Sequence, residues 1–380
     1  PAETERVLGR FRTLVSELFA AEYAGTFTEM CHAYGVESSI EPYVSPADDR
    51  EYARHCDIPM GEFWPGGNRW GHPGASRLAP SAAHFFGHRI CASEAFGVHP
   101  NTPGGRFGFE PLTLKGAGDR MFTIGYSRLH VHSFAHQPWT VPGPGMTMGF
   151  WGLRADRTQP WWRELKPFMD YLARVQAMLQ DGEPVVDVLY YGGDEPLAPL
   201  TEPDAPGFVW DLCGTSWLRE IAVVGGRPVA PSGLAYEALL VPEGRVFGDS
   251  TRRALAALKA QGVRFSTEGL APDFAEVPVR GQVNRLFWTH RRHSDGSEGY
   301  FVSSTNRRDV ACAVSFRQTG RRVELWDAET GRVRAAEAVA DDGRRTRVDF
   351  RLGPAGSVFV MFRPDVATDS ASPAAPQGPV

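Results

Sequence analysis

The sequence predicts an α/β protein: a TIM-like (β/α) barrel, incomplete at its N-terminus, followed by a small α/β domain and a β-sandwich. Three observations predict it. Strand-like apolar runs alternate with helix-like segments through roughly the first half of the chain, the mark of a parallel sheet. Acids, histidines and tryptophans collect where those runs end, which favours a barrel over an open doubly wound sheet. From about residue 281 the apolar residues recur with period two, as in antiparallel sheets.

Taken in order, Val7, Leu8, Phe11, Leu14, Val15, Leu18 and Phe19 recur at helical spacing, and the segment over about 5–34 closes on Tyr34-Gly35, a helix-stop signal. A short strand follows at Ser39–Tyr43, then a strand ending at Glu62, a helix over 75–88, and a strand ending at Glu94. A helix over 111–122 leads to the strand Arg128–His132. After a Pro/Gly-rich loop come a helix over 163–180 and a strand over 185–191. These are about five strands where a closed barrel needs eight, so either further strands are hidden in the sequence or the first strands lie outside this chain.

Prolines 196, 199, 203 and 206 mark a boundary near residue 200. Beyond it, the strand-like runs 221–224, 236–241 and 263–265 with a helix over 252–261 make a small α/β domain. The runs 299–303, 311–316, 323–326 and 358–362 supply the sandwich. The expected division is therefore 1–200, 201–275 and 276–364, with the Ala/Ser/Pro-rich tail 365–380 disordered.

Composition narrows the function classes. The formal charge of −5 with scattered Lys and Arg argues against a nucleic-acid partner and suits a neutral substrate. The five cysteines are widely spaced, without the close pairs of a zinc or redox motif, and read as small buried hydrophobes. No run of about 18 apolar residues exists, so no membrane span is expected. The chain opens Pro1-Ala2-Glu3-Thr4, with neither an initiator Met nor a signal peptide. A signal upstream would make the protein periplasmic or secreted, and otherwise it would be cytoplasmic; localisation stays open.

At Ile58-Pro59-Met60-Gly61-Glu62-Phe63-Trp64 an apolar run ends on one carboxylate followed by two aromatics. Such a strand end grips a sugar ring, because the acid meets hydroxyls while the rings meet the apolar face. Acids recur at the ends of 90–94 and 188–195, and this repetition points to a carbohydrate-active enzyme.

Several collinear motifs then name a family. Ser39-Ile40-Glu41-Pro42-Tyr43, Asp57 to Trp64, Ala82-Ala83-His84, Glu94-Ala95-Phe96, Gly125-Tyr126-Ser127-Arg128, His132, His136-Gln137-Pro138-Trp139, Pro144 to Thr147, Asp156-Arg157-Thr158 and Trp161-Trp162 resemble the catalytic barrel of glycoside hydrolase family 106 over residues 35–200. A looser resemblance continues through Val241-Pro242, Thr289 to Arg292 and Glu324 to Asp327. The resemblance implies an α-L-rhamnosidase that hydrolyses rhamnose-containing carbohydrate with inversion and uses calcium against the sugar hydroxyls. Family members are longer, and this chain resembles their central portion.

Inversion needs an acid and a base about 6.5–9.5 Å apart, with room for a water between them. The resemblance makes Glu62 the general acid, against a structural pairing with Arg69 or Arg89. For the base the match is open between Asp194 and Glu195, with Glu195 preferred for its reach. Glu94 and Glu41 are candidate calcium or sugar ligands, since calcium takes hard oxygens. Tyr43, Trp64, His132, His136 and Trp139 are candidate sugar contacts, while Trp161, Trp162 and His84 are expected to be structural. Met60 and Ser127 stand where the family offers an acid and an asparagine. Two other readings compete: a retaining β-galactosidase-like glycosidase, with carboxyls about 5–5.5 Å apart, and a non-catalytic sugar-binding remnant.

Overall fold

A computed structural model describes residues 2–42, 48–65, 73–99, 101–102, 105–141, 145–146, 149, 151–194, 202–245, 247–279 and 286–364. The tail expectation for 365–380 lies outside them. The helix expected over 5–34 is divided into α1 (Ala2–Leu18), a π-helical stretch Phe19–Gly25 and α2 (Thr26–Ala33). Its apolar stripe faces outward, with Val7, Phe11, Leu14 and Leu18 each more than half exposed. The opposite side is anchored by buried Ala24, which joins Ile40, Tyr52 and Cys56 in a small core.

The strand–helix alternation runs β1 (Ser39–Ile40), α3 (Asp49–Ala53), β2 (Ile58–Glu62), α4 (Pro73–Phe86), β3 (Ala92–Ala95), α5 (Pro111–Phe122), β4 (Arg128–Val131) and α6 (Leu165–Leu179). The strands form one parallel sheet in the order β1-β2-β3-β4. Residues of β3 face buried surroundings on both sides, as a parallel strand covered by helices requires. Among the described residues these four strands do not close, so the expected TIM-like barrel is here an open parallel sheet.

The reason is partly a reassignment. The apolar run expected as a fifth barrel strand is β6 (Val188–Tyr191), following the short β5 (Glu183–Pro184), and it pairs on both edges elsewhere. Its neighbours are β7 (Trp210–Cys213) and β10 (Ala238–Leu240), in the parallel order β10-β6-β7. The division expected near residue 200 therefore cuts through a sheet. A hairpin of β8 (Ala222–Val224) and β9 (Arg227–Val229) and the helix α7 (Asp249–Ala260) complete this unit. Trp217, Tyr191, Tyr236 and Phe85 share its core, and Phe85 comes from α4, so the two parallel sheets are packed together.

The sandwich comprises β11 (Phe274–Glu276), β12 (Leu286–Arg292), β13 (Glu298–Ser304), β14 (Val310–Phe316), β15 (Arg322–Asp327), β16 (Arg332–Ala335), β17 (Ala338–Asp341), β18 (Thr346–Leu352) and β19 (Ser357–Arg363). Two antiparallel sheets, β11-β14-β18-β17 and β16-β15-β19-β13-β12-β5, face each other over Tyr300, Val302, Phe316, Val348, Val360 and Phe362. Alternation sends Phe301, Phe359 and Met361 to the other face, where they join the core of α5 and α6. Lys115 secures that junction: its buried ammonium donates to Asp119 (2.8 Å), to the Ala355 carbonyl (2.8 Å) and to Ser357 (2.9 Å).

Candidate active site

Register places the candidate acids side by side. Glu62 is level with Glu94 on the adjacent parallel strand, and Glu94 is level with His130 on the next. Beyond the strand ends, Phe63 N–H donates to the Glu94 carbonyl (3.1 Å) and His132 N–H to the Ala95 carbonyl (2.9 Å), extending the sheet by one residue. This carries His132 over the row, and its Nδ1 bonds Glu94 Oε1. That hydrogen bond raises the His132 pKa; partial burial opposes it, and the fields of Glu94, Glu62 and Glu41 add to the rise. One imidazole thus lies within electrostatic reach of three carboxylates, on β2, on β3 and just beyond β1.

The local sequence explains the placement. A Cβ on Gly61 would lie 2.0 Å from the Tyr126 hydroxyl, so only glycine admits the buried tyrosine beneath the strand end. Gly97 lets the Trp64 indole lie against the backbone, where a Cβ would come within 2.7 Å of it. Behind the acids, Phe63 meets Phe96 edge-on at 5.1 Å. Trp64 meets Trp151 edge-on at 5.3 Å, and Trp151 meets His99 at 4.9 Å. The indole N–H of Trp64 and Nε2 of His132 are buried without a hydrogen-bond partner among the described residues. Buried polar atoms of this kind are ordinarily satisfied, so two of them beside a carboxylate row suit a polyhydroxylated ligand.

The segment after His132 is interlocked by the motifs singled out in the sequence. Gln137 donates to Asp156 (3.0 Å) and accepts from the Met146 N–H (2.9 Å), while Arg157 donates to the carbonyls of Gln137 (2.7 Å) and Trp139 (3.0 Å). Burial opposes the ionisation of Asp156, but hydrogen bonds from Thr158 and Gln137, with Arg154 nearby, hold its carboxyl below the usual range. Trp139 is 65% exposed on this segment and His136 is also exposed. Of the two tryptophans expected to pack, Trp161 does so, donating to the Phe109 carbonyl (2.9 Å). Trp162 instead lies at the surface, 6.4 Å from Phe134. His84 is structural, its Nδ1 3.0 Å from buried Asp211.

Asp194 follows β6 rather than a strand of the first sheet. Its Oδ1 accepts from the hydroxyls of Tyr191 and Thr251 (2.5 Å to the latter), and its Oδ2 from the Gly248 N–H (2.5 Å), at the start of α7. Both oxygens therefore hold a helix N-terminus. Arg50, paired with Asp48 at 2.7 Å, donates to the Gly193 carbonyl (2.8 Å) and ties this segment to the start of α3, just beyond β1. Glu195 and Tyr43 lie outside the described residues. Arg89 precedes β3, at the end of the strands opposite Glu62, and Arg69 is outside the described residues.

For calcium, the donor chemistry is apt: Glu41, Glu62 and Glu94 offer hard oxygens. Among the described residues no three His, Cys, Asp or Glu side chains converge as an ion cage. An ion held by Glu94 and Glu41 would need sugar hydroxyls and water to complete its shell.

Comparison with known proteins agrees with the motifs. A protein of Formosa agariphila given the provisional name beta-glucuronidase is 30% identical over 406 residues, covering 95% of this chain and 34% of its own length. The structure of a rhamnosidase from Novosphingobium sp. PP1Y superposes with a TM-score of 0.83 at 25% identity, covering 97% of this chain and 41% of that one. An exo-carrageenase of Bacteroides ovatus shares the fold alone, with a TM-score of 0.51 at 10% identity over 92% of this chain and 56% of that one. The chain thus spans 34% and 41% of the lengths of the first two relatives. The α-L-rhamnosidase family model matches residues 1–267 and 264–338, and the chain belongs to that family, glycoside hydrolase family 106.

Proposed function

We propose that the protein containing this chain removes α-L-rhamnose from rhamnose-containing carbohydrates by inverting hydrolysis. The observation that carries the reading is the pair Glu62 and Glu94, level on adjacent strands, with His132 bonded to Glu94 and within the fields of Glu62 and Glu41, bordered by Trp64 and Trp151. Glu62 protonates the glycosidic oxygen as the bond to the anomeric carbon breaks. Glu195 takes the proton of the attacking water, since the oxygens of Asp194 are engaged in holding α7. Glu94 fixes the orientation of His132, leaving Nε2 for a sugar hydroxyl, and the tryptophans receive the methyl-bearing face. Calcium, held by Glu94 and Glu41, would supply binding to vicinal hydroxyls. A site with three carboxylates is hostile to a uronate, which favours a neutral deoxy sugar over the glucuronide in the name of the Formosa agariphila relative. In the full-length family setting the (β/α) barrel would be completed by strands beyond these four.

Proton NMR of the first turnover of an aryl α-L-rhamnoside by the full-length protein tests the stereochemistry. Initial release of β-rhamnose is expected. Initial release of α-rhamnose would replace inversion by a retaining route.

A further inference from the structure

A cavity of about 320 Å³ opens at the end of the parallel strands opposite the carboxylate row. Its walls come from all three parts of the fold: His84 in α4, Arg89 between α4 and β3, Ser127 just before β4, Ser232 in the turn beyond β9, Gly182 just before β5, and Arg291 in β12. That size falls within the range of small-molecule sites, and a junction of structural units is where such sites recur.

The walls carry two arginines, Arg89 and Arg291, against one carboxylate, the exposed Glu183. Arg291 is only 8% exposed, and its guanidinium donates to two neutral carbonyls, those of Asp181 (2.9 Å) and Gly182 (2.6 Å). Among the described residues no carboxylate lies within ion-pair distance of it. Burial pushes its pKa down to about 10, with Asp181 and Glu183 resisting at longer range. A buried guanidinium without a counter-ion is costly, and an anion admitted beside it relieves that cost. Arg89 stands exposed at the same cavity. His84 turns its Cε1–Nε2 edge toward Gly125, another wall residue, where a Cβ would lie 3.1 Å from Cε1 and 3.4 Å from Nε2. The planar fork of arginine matches an oxyanion better than any neutral group.

We infer that this cavity binds a small oxyanion, with Arg291 as its central cation and Arg89 at its mouth. The bound anion would join the sheet of β1 to β4, the sheet of β6 and the sandwich at one point, a role independent of glycoside hydrolysis.

The test is calorimetric titration and thermal unfolding of the full-length protein with inorganic phosphate, with glucuronate, and with potassium chloride at matched ionic strength. A saturable rise in Tm with phosphate and not with chloride is expected. The glucuronate arm separates a sugar-acid ligand from a free-phosphate ligand. R89A should weaken the dissociation constant about ten-fold, near the 1.4 kcal/mol typical of one lost charge-assisted contact, and R291Q should abolish binding. Absence of binding by both anions, an equal response to chloride, or unchanged affinity in folded R89A and R291Q would overturn the inference.

Discussion

Replacing Asp194 by alanine should destabilise the unit built on β6, β7 and β10. The carboxylate accepts from the Gly248 N–H and the Thr251 hydroxyl, each at 2.5 Å, and from the Tyr191 hydroxyl. Loss of a helix-capping acceptor costs about 1 kcal/mol. Thr251 is 2% exposed, and leaving its hydroxyl without this acceptor costs about 1–3 kcal/mol more. Tyr191 keeps Thr215 as a partner at 2.8 Å and adds little. The expected total is about 2–4 kcal/mol, the sum of those two costs. Urea unfolding followed by the fluorescence of Trp217, buried in that unit, reads it directly. The same variant separates an anchor from a base. An anchor leaves turnover of the folded enzyme within a few-fold of wild type, whereas a missing general base costs about 10²–10⁴. Stability within about 0.5 kcal/mol of wild type, the scatter of unremarkable surface changes, would refute the anchoring role.

Three further outcomes follow from the geometry. His290, buried between Asp273 (2.8 Å) and Glu298 (2.9 Å), is a link whose removal in His290→Ala should cost about 3–5 kcal/mol in thermal unfolding of the sandwich. Burial opposes its charging, but Asp273 and Glu298 raise its pKa, while both acids are held low against burial by His290 and neighbouring arginines. The His290 contribution is complete below about pH 6.5 and fades as pH rises through the raised value, and the acids' contribution fades as pH falls below about 4. The cost of His290→Ala should therefore be greatest between these limits, and a pH-independent cost would contradict the assignment. Glu94→Gln should lower the His132 pKa in an NMR titration, because the Glu94 hydrogen bond is the largest cause of its rise, and an unmoved titration would contradict that pairing. Exhaustive chelation of the full-length enzyme should weaken or abolish rhamnoside turnover, with recovery on adding calcium, and full activity after chelation would remove the metal from the proposal.

Much of the candidate site was legible because its residues are local to strand ends. The run ending Gly61-Glu62-Phe63-Trp64 and that ending Ser93-Glu94 carry their own punctuation, and the register does bring the two acids level. The helices expected over 111–122 and 163–180 are α5 (Pro111–Phe122) and α6 (Leu165–Leu179). What failed was pairing. The run at 185–191 is apolar throughout, so nothing in it distinguishes one buried parallel sheet from another. Its partner β7 passed unseen, since Trp210-Asp211-Leu212-Cys213 is four residues long with a charged residue inside it. That acid is tolerable only because His84 and Tyr236 reach it from distant positions. The stripe of α1 was read correctly as helical, but spacing says that a face is apolar and not what covers it. By their neighbours in sequence Asp194 and Glu195 compete for the role of base, and sequence gives no sign that Gly248 and Thr251, more than fifty residues later, engage the oxygens of Asp194.

The most direct test of the account is the leaving-group dependence of Glu62→Gln in the full-length enzyme. On an unactivated rhamnoside, turnover should fall by about 10²–10⁴, the worth of a general acid. On a dinitrophenyl rhamnoside, whose leaving group departs without a proton, most of the activity should remain. Retention of more than about a tenth of wild-type activity on the unactivated substrate, or equal losses on both, would contradict Glu62 as the general acid.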